Sequence, residues 1–269
     1  MISLPFVQGY MAGNLVILSA VFSAFFLMNY KNENKTMREL AFISLAIAGA
    51  LKISPGFFGI LLLYEKRYKD ALKTIIYFLI LAFLPFFYFT QEHSVIENIS
   101  KFISESSSHN TWPSYPFMFP ESIINRDTNV YVKIKTFLVY PLAAIGIIAG
   151  YFQKVQWKQT ALLLCLSILM FSANLHMNMY FFLIIAMFLN ENHKTINFSK
   201  DNRFETIKNI WYLLAFILLL NPYQFPSYYG ASTSWWIVKG AFWMLFFALF
   251  AETLHSFYSQ VICKKTEAL

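Results

Sequence analysis

Long apolar stretches alternate with short polar segments along most of the chain. A helix needs roughly 20 residues to cross the ~30 Å hydrocarbon core of a bilayer, and most of the stretches reach or exceed that length. This pattern predicts an all-α fold, a polytopic transmembrane helical bundle that forms one integral membrane domain over residues 1–269. The apolar stretches are residues 11–30, 40–64, 72–89, 134–152, 160–189, 210–220 and 235–262.

Composition and charge support the same class. The chain is 58% hydrophobic and 13% charged, whereas soluble domains average about half apolar and about a quarter charged. The net charge of +7 comes from basic clusters that flank the apolar stretches, which is the juxtamembrane pattern. The sequence therefore predicts membrane lipid as a partner and no binding of nucleic acid.

Two of the apolar stretches are interrupted near their middle. Residues 40–64 contain Lys52-Ile53-Ser54-Pro55-Gly56, and residues 160–189 contain the polar patch Asn174-Leu175-His176-Met177-Asn178. Proline removes a backbone donor and pushes its predecessor out of helical geometry. We therefore expect one helix to end near Leu51 and another to begin at Pro55, with Ser54 as its N-cap.

The charges around the two interrupted stretches indicate how each stretch is folded. Both flanks of each stretch are basic, and positive clusters favour the cytoplasmic side. The pattern favours two re-entrant or broken helical hairpins in a multi-pass cell-membrane protein. The basic loops and the C-terminus would be cytoplasmic, and both reversal points would face the non-cytoplasmic side. The flanking residues are Lys31, Lys35, Arg38, Lys66, Arg67, Lys69 and Lys73 for the first stretch and Lys154, Lys158, Lys194, Lys200, Arg203 and Lys208 for the second.

The segment 91–132 is predicted to be a long outer loop. It exceeds the usual length of a connection, and its apolar residues Val95, Ile96, Ile99, Phe102 and Ile103 recur at helical spacing. That spacing predicts an amphipathic helix at the membrane interface.

The interruptions also supply the candidate site chemistry. An ammonium group and a helix N-terminus in a low dielectric favour an anion, so Lys52 and Ser54 are candidate phosphate-binding residues. His176 would assist them, and Asn174 and Asn178 would contact sugar or lipid. Helix capping and interhelical hydrogen bonds are the structural alternative for this polar patch.

Acid–base groups are harder to assign. Glu105, His109, Glu121 and Asp127 in the long outer loop are weak catalytic candidates, and the catalytic base stays unknown. The chain lacks histidines, cysteines and carboxylates at metal-ligand spacing, so no metal is expected.

At Leu51-Lys52-Ile53-Ser54-Pro55, followed by an apolar arm and a basic cluster, the chain resembles glycosyltransferase family 87. The segments Ser3-Leu4-Pro5-Phe6 and Gly13-Asn14-Leu15 and the region before Tyr180 are similar to further family segments. The resemblance implies a C-type polytopic glycosyltransferase, a hexosyltransferase that transfers a hexose or mannose-like sugar. The donor would be a polyprenyl-phosphate sugar, and the acceptor an envelope glycan or glycolipid. It also implies that Asn14 and Tyr180 contact sugar or lipid and that no cofactor is needed beyond the lipid-linked donor.

The chain also departs from that family. Ala12 and Val16 stand where relatives tend to carry arginine and glutamate, and relatives have a further N-terminal half that precedes the matched part. The resemblance therefore implies the C-terminal part of such an enzyme, with an N-terminal half as a possible partner. A glycan polymerase or ligase, a non-catalytic truncated remnant and a transporter stay open as alternatives.

Overall fold

A computed structural model describes residues 15–88, 94–100, 135–170, 180–192, 203–220 and 233–263. In these ranges the regular structure is helical throughout, with no strand, as the apolar pattern predicts. The α-helices are α1 (Val16–Asn29), α2 (Lys35–Leu51), α3 (Ile60–Tyr64), α4 (Tyr68–Tyr88), α5 (Tyr140–Gly150), α6 (Gln156–Met170), α7 (Phe181–Asn192), α8 (Arg203–Leu220) and α9 (Thr233–Tyr258). A 3-10 segment (Ser54–Gly59) precedes α3, and short π-helical turns (Lys135–Val139 and Ser259–Cys263) adjoin α5 and α9.

The first two helices form an antiparallel pair. Asn34 caps α2, because its side-chain oxygen accepts the backbone N–H of Thr36 at 2.9 Å and that of Met37 at 3.4 Å. Far from this turn, the hydroxyl of Ser19 near the start of α1 donates to the carbonyl of Ala48 near the end of α2 (2.8 Å). The tight turn therefore lies at one end of the bundle and Ala48 at the other.

The first interrupted stretch (residues 40–64) returns to the end from which it starts. Helix α2 ends at Leu51 as predicted, the chain reverses at Lys52 and Ile53, and the 3-10 segment and α3 run back. At the close of α3, Glu65 Oε1 lies 2.6 Å from Lys31 Nζ, just before α2. The two flanks of this stretch are therefore in contact.

The second interrupted stretch (residues 160–189) also has its flanks in contact. At the start of α6 the backbone N–H of Trp157 donates to Glu191 Oε1 at the end of α7 (3.2 Å). The ring of Trp157 lies edge-on to Phe188, with centroids 4.9 Å apart. Residues 171–179, which contain the predicted interruption at 174–178, lie outside the described residues. Helices α6 and α7 on either side of them run in opposite directions.

The remaining helices bring these two units together. The hydroxyl of Tyr64 donates to the carbonyl of Ile147 in α5 (2.7 Å), and Gln159 Nε2 in α6 donates to the carbonyl of Gly150 (3.1 Å). Helix α8 packs against the same core through Tyr212, whose ring centroid lies 5.0 Å from that of Trp157. We call the end that contains Lys31, Glu65, Trp157 and Glu191 the basic end. The opposite end, which contains Lys52 and Tyr180, the residue before α7, is the apex end.

Two segments of the described chain are long and apolar enough to cross a membrane, namely Tyr68–Phe87 in α4 and Ile237–Val261 in α9 and the turn after it. Only 11% of the α4 window is buried inside the protein, against 44% of the α9 window, so α4 presents most of its apolar surface outward. Helix α8 begins at Arg203, earlier than the apolar stretch 210–220. Of the predicted outer loop, residues 94–100 are described, and residues 95–100 are helical as their spacing predicts.

Candidate functional site

The candidate site is centred on the reversal between α2 and the 3-10 segment. Lys52 has extended backbone angles (φ −152°, ψ 124°), and its N–H still donates to the carbonyl of Ala48 (2.9 Å). The pyrrolidine ring of Pro55 stops continuation of α2 past this point, because a proline cannot supply the next helical N–H. The chain then turns so tightly that the N–H of Gly56 donates to the carbonyl of Ile53 (3.0 Å).

The Lys52 side chain is partly buried at this reversal. Within the part of the chain that the structure describes, no carboxylate lies within ion-pair distance of its ammonium group. A lysine held at a reversal without a counter-charge from its own neighbours is a candidate for binding an external anion.

Ser54 occupies a different position from the one predicted. Ile53 stands at the N-cap position with helical angles (φ −60°, ψ −35°), and Ser54 lies inside the first turn, 7% exposed. The prediction of Ser54 as an N-cap is therefore wrong. Ile53 already takes helical angles, and the extended angles typical of an N-cap fall on Lys52, so the turn starts before Ser54.

A buried hydroxyl relay connects the reversal with the start of α7. Tyr180 donates from its hydroxyl to Ser19 Oγ (2.8 Å), and Ser19 donates in turn to the carbonyl of Ala48 (2.8 Å). The same carbonyl accepts the N–H of Lys52, so one oxygen receives bonds from α1 and from the reversal itself. The relay therefore fixes Tyr180, which stands four residues after His176 and one before α7, against the end of α2.

The relay contains one predicted site residue and adds another. Tyr180 is fully buried, and its hydroxyl points into the bundle toward Ser19. The prediction that Tyr180 contacts sugar or lipid stays a prediction. Sequence reasoning missed Ser19, although Ser19 and Ser23 stand four residues apart in an otherwise apolar helix and therefore share one face.

The other predicted site residues lie outside the described residues. They are Asn14, Glu105, His109, Glu121, Asp127, Asn174, His176 and Asn178. The structure thus places Lys52, Ser54 and Tyr180 at one end of the bundle, and the roles of the other eight stay predictions.

Several charged residues of the basic end pair with one another across helices. Glu252 Oε2 of α9 lies 2.5 Å from Lys158 Nζ of α6, and Glu252 Oε1 lies 3.4 Å from Lys208 Nζ of α8. Near the first stretch, Arg67 Nη1 donates to the carbonyl of Tyr30 (2.5 Å). The hydroxyl of Tyr30 donates to Glu65 Oε1 (3.2 Å). These contacts hold helices together at the basic end.

Comparison of the chain with protein-family models, with curated proteins and with solved structures found no match.

Proposed function

We propose that this chain is a multi-pass membrane glycosyltransferase, or the C-terminal part of one. It would transfer a hexose from a polyprenyl-phosphate carrier to an envelope glycan or glycolipid on the non-cytoplasmic side. The observation that carries the proposal is the position of Lys52. This lysine lies at a chain reversal, has no carboxylate partner in the described ranges, and is tied by the Ser19–Tyr180 relay to the second interrupted stretch.

The membrane arrangement is the first step of the proposal. Both interrupted stretches have their flanks in contact at the basic end, which supports re-entrant hairpins whose reversal points do not reach the cytoplasmic surface. The positive-inside rule then assigns the basic end to the cytoplasm. Helix α4, with its mostly outward apolar surface, fits a lipid-facing span.

The second step concerns the chemistry of the apex end. Transfer of a sugar from a lipid phosphate leaves negative charge on the departing phosphate, and preorganised cations stabilise that charge. Lys52 is suited to this role because α2, the relay and the following tight turn fix its backbone. A carboxylate would remove the proton from the acceptor hydroxyl, and the candidates for that base are Glu105, Glu121 and Asp127.

Binding of undecaprenyl phosphate to the purified protein in detergent tests the role of Lys52. A charge-assisted hydrogen bond is worth ~1.5–3 kcal/mol, so we expect Lys52→Ala to weaken binding by roughly 10- to 100-fold. Lys35→Ala is the matched control, since Lys35 is an exposed lysine at the opposite end of the same helix. Native mass spectrometry across a titration measures both variants against the unaltered protein.

Equal affinity of the Lys52→Ala protein would remove the phosphate role. Transfer is tested separately, with undecaprenyl-phosphate glucose and extracted envelope lipids in proteoliposomes. Lengthening of a glycan chain in that assay would favour the polymerase alternative, and movement of a labelled solute without transfer would favour a transporter.

A further inference from the structure

The carbonyl oxygen of Ala48 is a point at which the end of α2 is attached to the rest of the protein. It accepts the backbone N–H of Lys52 (2.9 Å), which closes the last turn of α2, and the hydroxyl of Ser19 (2.8 Å). A carbonyl oxygen has two lone pairs, so it can accept both bonds at once. The hydrogen bond that joins Lys52 to its helix therefore ends on an atom that α1 also holds.

The position of this bond within α2 makes it important for Lys52. The last carbonyls of a helix have no further partners within the helix, and terminal turns fray. Lys52 has already left helical geometry, and its N–H ties its backbone to α2 at Ala48. A contact that holds the Ala48 carbonyl in place therefore limits how far Lys52 can move.

The directions of the two hydroxyl bonds follow from the chemistry of the groups. A carbonyl can accept but not donate, so Ser19 has to donate its proton to Ala48. A serine hydroxyl carries one proton, so Tyr180 has to donate to Ser19 Oγ across their 2.8 Å contact. Both residues are fully buried, so bulk water does not replace either bond if a partner is removed.

Ser23 shows the alternative that is open to a serine in this helix. Its hydroxyl donates to the carbonyl of Ser19, four residues earlier in α1 (2.8 Å), which is a common bond of a serine inside a helix. The equivalent acceptor for Ser19 is the carbonyl of Leu15, which receives the backbone N–H of Ser19 (2.9 Å). The Ser19 hydroxyl bonds to α2 instead. The proton that Tyr180 donates occupies a lone pair of Ser19 Oγ and restricts the directions left for the hydroxyl's own proton.

We propose that Ser19 is a positioning residue for Lys52, and that Tyr180 directs the Ser19 hydroxyl toward the Ala48 carbonyl. Ser19 does not touch the ligand. It holds the last turn of α2 so that Lys52 presents its ammonium group to a phosphate from a fixed place. This inference rests on the proposed phosphate role of Lys52. It adds that both interrupted stretches are needed to form the site, because Tyr180 belongs to the second one.

Binding of undecaprenyl phosphate to the purified protein, measured by native mass spectrometry, tests the role of Ser19. We expect Ser19→Ala to weaken binding about fivefold, because Lys52 loses its preorganised position but keeps its charge. Ser23→Ala is the matched control, since Ser23 is an equally buried serine of the same helix that bonds within α1. We expect Ser23→Ala to bind as tightly as the unaltered protein. Melting temperatures check that each variant is folded.

A second measurement separates positioning from a general loss of structure. In a Lys52→Ala background the place of residue 52 no longer matters to the ligand. We therefore expect the added Ser19→Ala change to leave the remaining affinity unaltered in that background. A purely structural effect of Ser19→Ala would lower the affinity equally with and without the lysine.

Tyr180→Phe tests the direction of the Ser19 proton, and it decides the question if Ser19→Ala does not fold. We expect a loss of affinity of about twofold to threefold, because the Ser19 hydroxyl can then turn toward the Leu15 carbonyl. Addition of Tyr180→Phe to Ser19→Ala should cause no further loss, since both changes act through the Ala48 carbonyl.

Equal affinities of the Ser19→Ala and Ser23→Ala proteins would overturn the proposal, and so would an equal loss from Ser19→Ala in both backgrounds. Full affinity of Tyr180→Phe would overturn the part that concerns Tyr180. Failure of the proposed function gives a different result, because Lys52→Ala itself would then bind undecaprenyl phosphate as tightly as the unaltered protein.

Discussion

The two ends of the helical bundle use charge in different ways. At the basic end, several cations pair with carboxylates from other elements, as Lys31 does with Glu65 and Lys158 with Glu252. At the apex end, the contacts around the reversal at Lys52 are hydroxyl and backbone hydrogen bonds. Paired charges stabilise an arrangement of helices, whereas Lys52, which has no carboxylate partner in the described ranges, is available to a ligand. The difference separates the part of the molecule that holds the fold from the part that we propose as the site.

The strongest test of this comparison is a labelling experiment that shows on which side of the membrane each end of the bundle lies, with an all-or-none outcome. Single cysteines at positions 35, 53 and 69, in a Cys263→Ser background, would be treated with a membrane-impermeant maleimide in intact cells. We expect position 53 to be labelled from outside and positions 35 and 69 to be labelled only after lysis. Cys165 is fully buried and should not react.

Labelling of positions 35 and 69 from opposite sides would contradict the hairpin arrangement. Labelling of all three from inside would keep the hairpin but reverse the proposed side of the site.

The next largest effect is expected from Glu252. This carboxylate stands between two lysines on two other helices, and the Lys158 side chain is only 12% exposed. Glu252→Gln leaves both ammonium groups without their counter-charge, so we expect a loss of roughly 2–3 kcal/mol in unfolding free energy. Urea or thermal unfolding in detergent measures it, with Glu33→Gln as the control because Glu33 is exposed in the turn after α1. A Glu252→Gln protein as stable as its control would mean that the basic end is not held by this cluster.

The smallest expected effect comes from the Ser19–Tyr180 hydrogen bond at the apex end. Tyr180→Phe removes the buried hydrogen bond to Ser19 and keeps the ring, so we expect the free energy of unfolding to fall by about 1 kcal/mol. Ser19→Ala should lower the free energy of unfolding further, by about 2 kcal/mol, because it leaves the Tyr180 hydroxyl buried without its acceptor. Unfolding of both single variants and of the double variant gives the coupling energy between the two residues. Additive losses in that cycle would contradict the relay.

The position of the first reversal could be predicted from the sequence, but the geometry of the turn after it could not. A proline cannot continue a helix, so the end of α2 at Leu51 follows from the steric effect of Pro55. The position of Ser54 depended on whether Ile53 took helical or extended angles, and both are open to an isoleucine. A difference of one residue at a helix end is below what propensities resolve.

The Ser19–Tyr180 relay lay beyond prediction for a different reason. A serine inside an apolar helix bonds equally well to its own backbone, as Ser23 does to the carbonyl of Ser19 (2.8 Å). Whether such a hydroxyl instead reaches another helix depends on how closely the helices pack, and that is set by residues 29 and 161 positions away along the chain. The only local signal was the shared face of the two serines.

Under the proposed membrane arrangement, the contact between Lys31 and Glu65 has a consequence for how this architecture can change. A stretch that leaves one surface of a bilayer and returns to it contributes nothing to the count of traversals. Gain or loss of such a unit therefore leaves every later loop on its original side, whereas gain or loss of a single span inverts everything that follows. Fold-backs of this kind are insertions that a polytopic chain can acquire or discard without disturbing the orientation of its remaining segments.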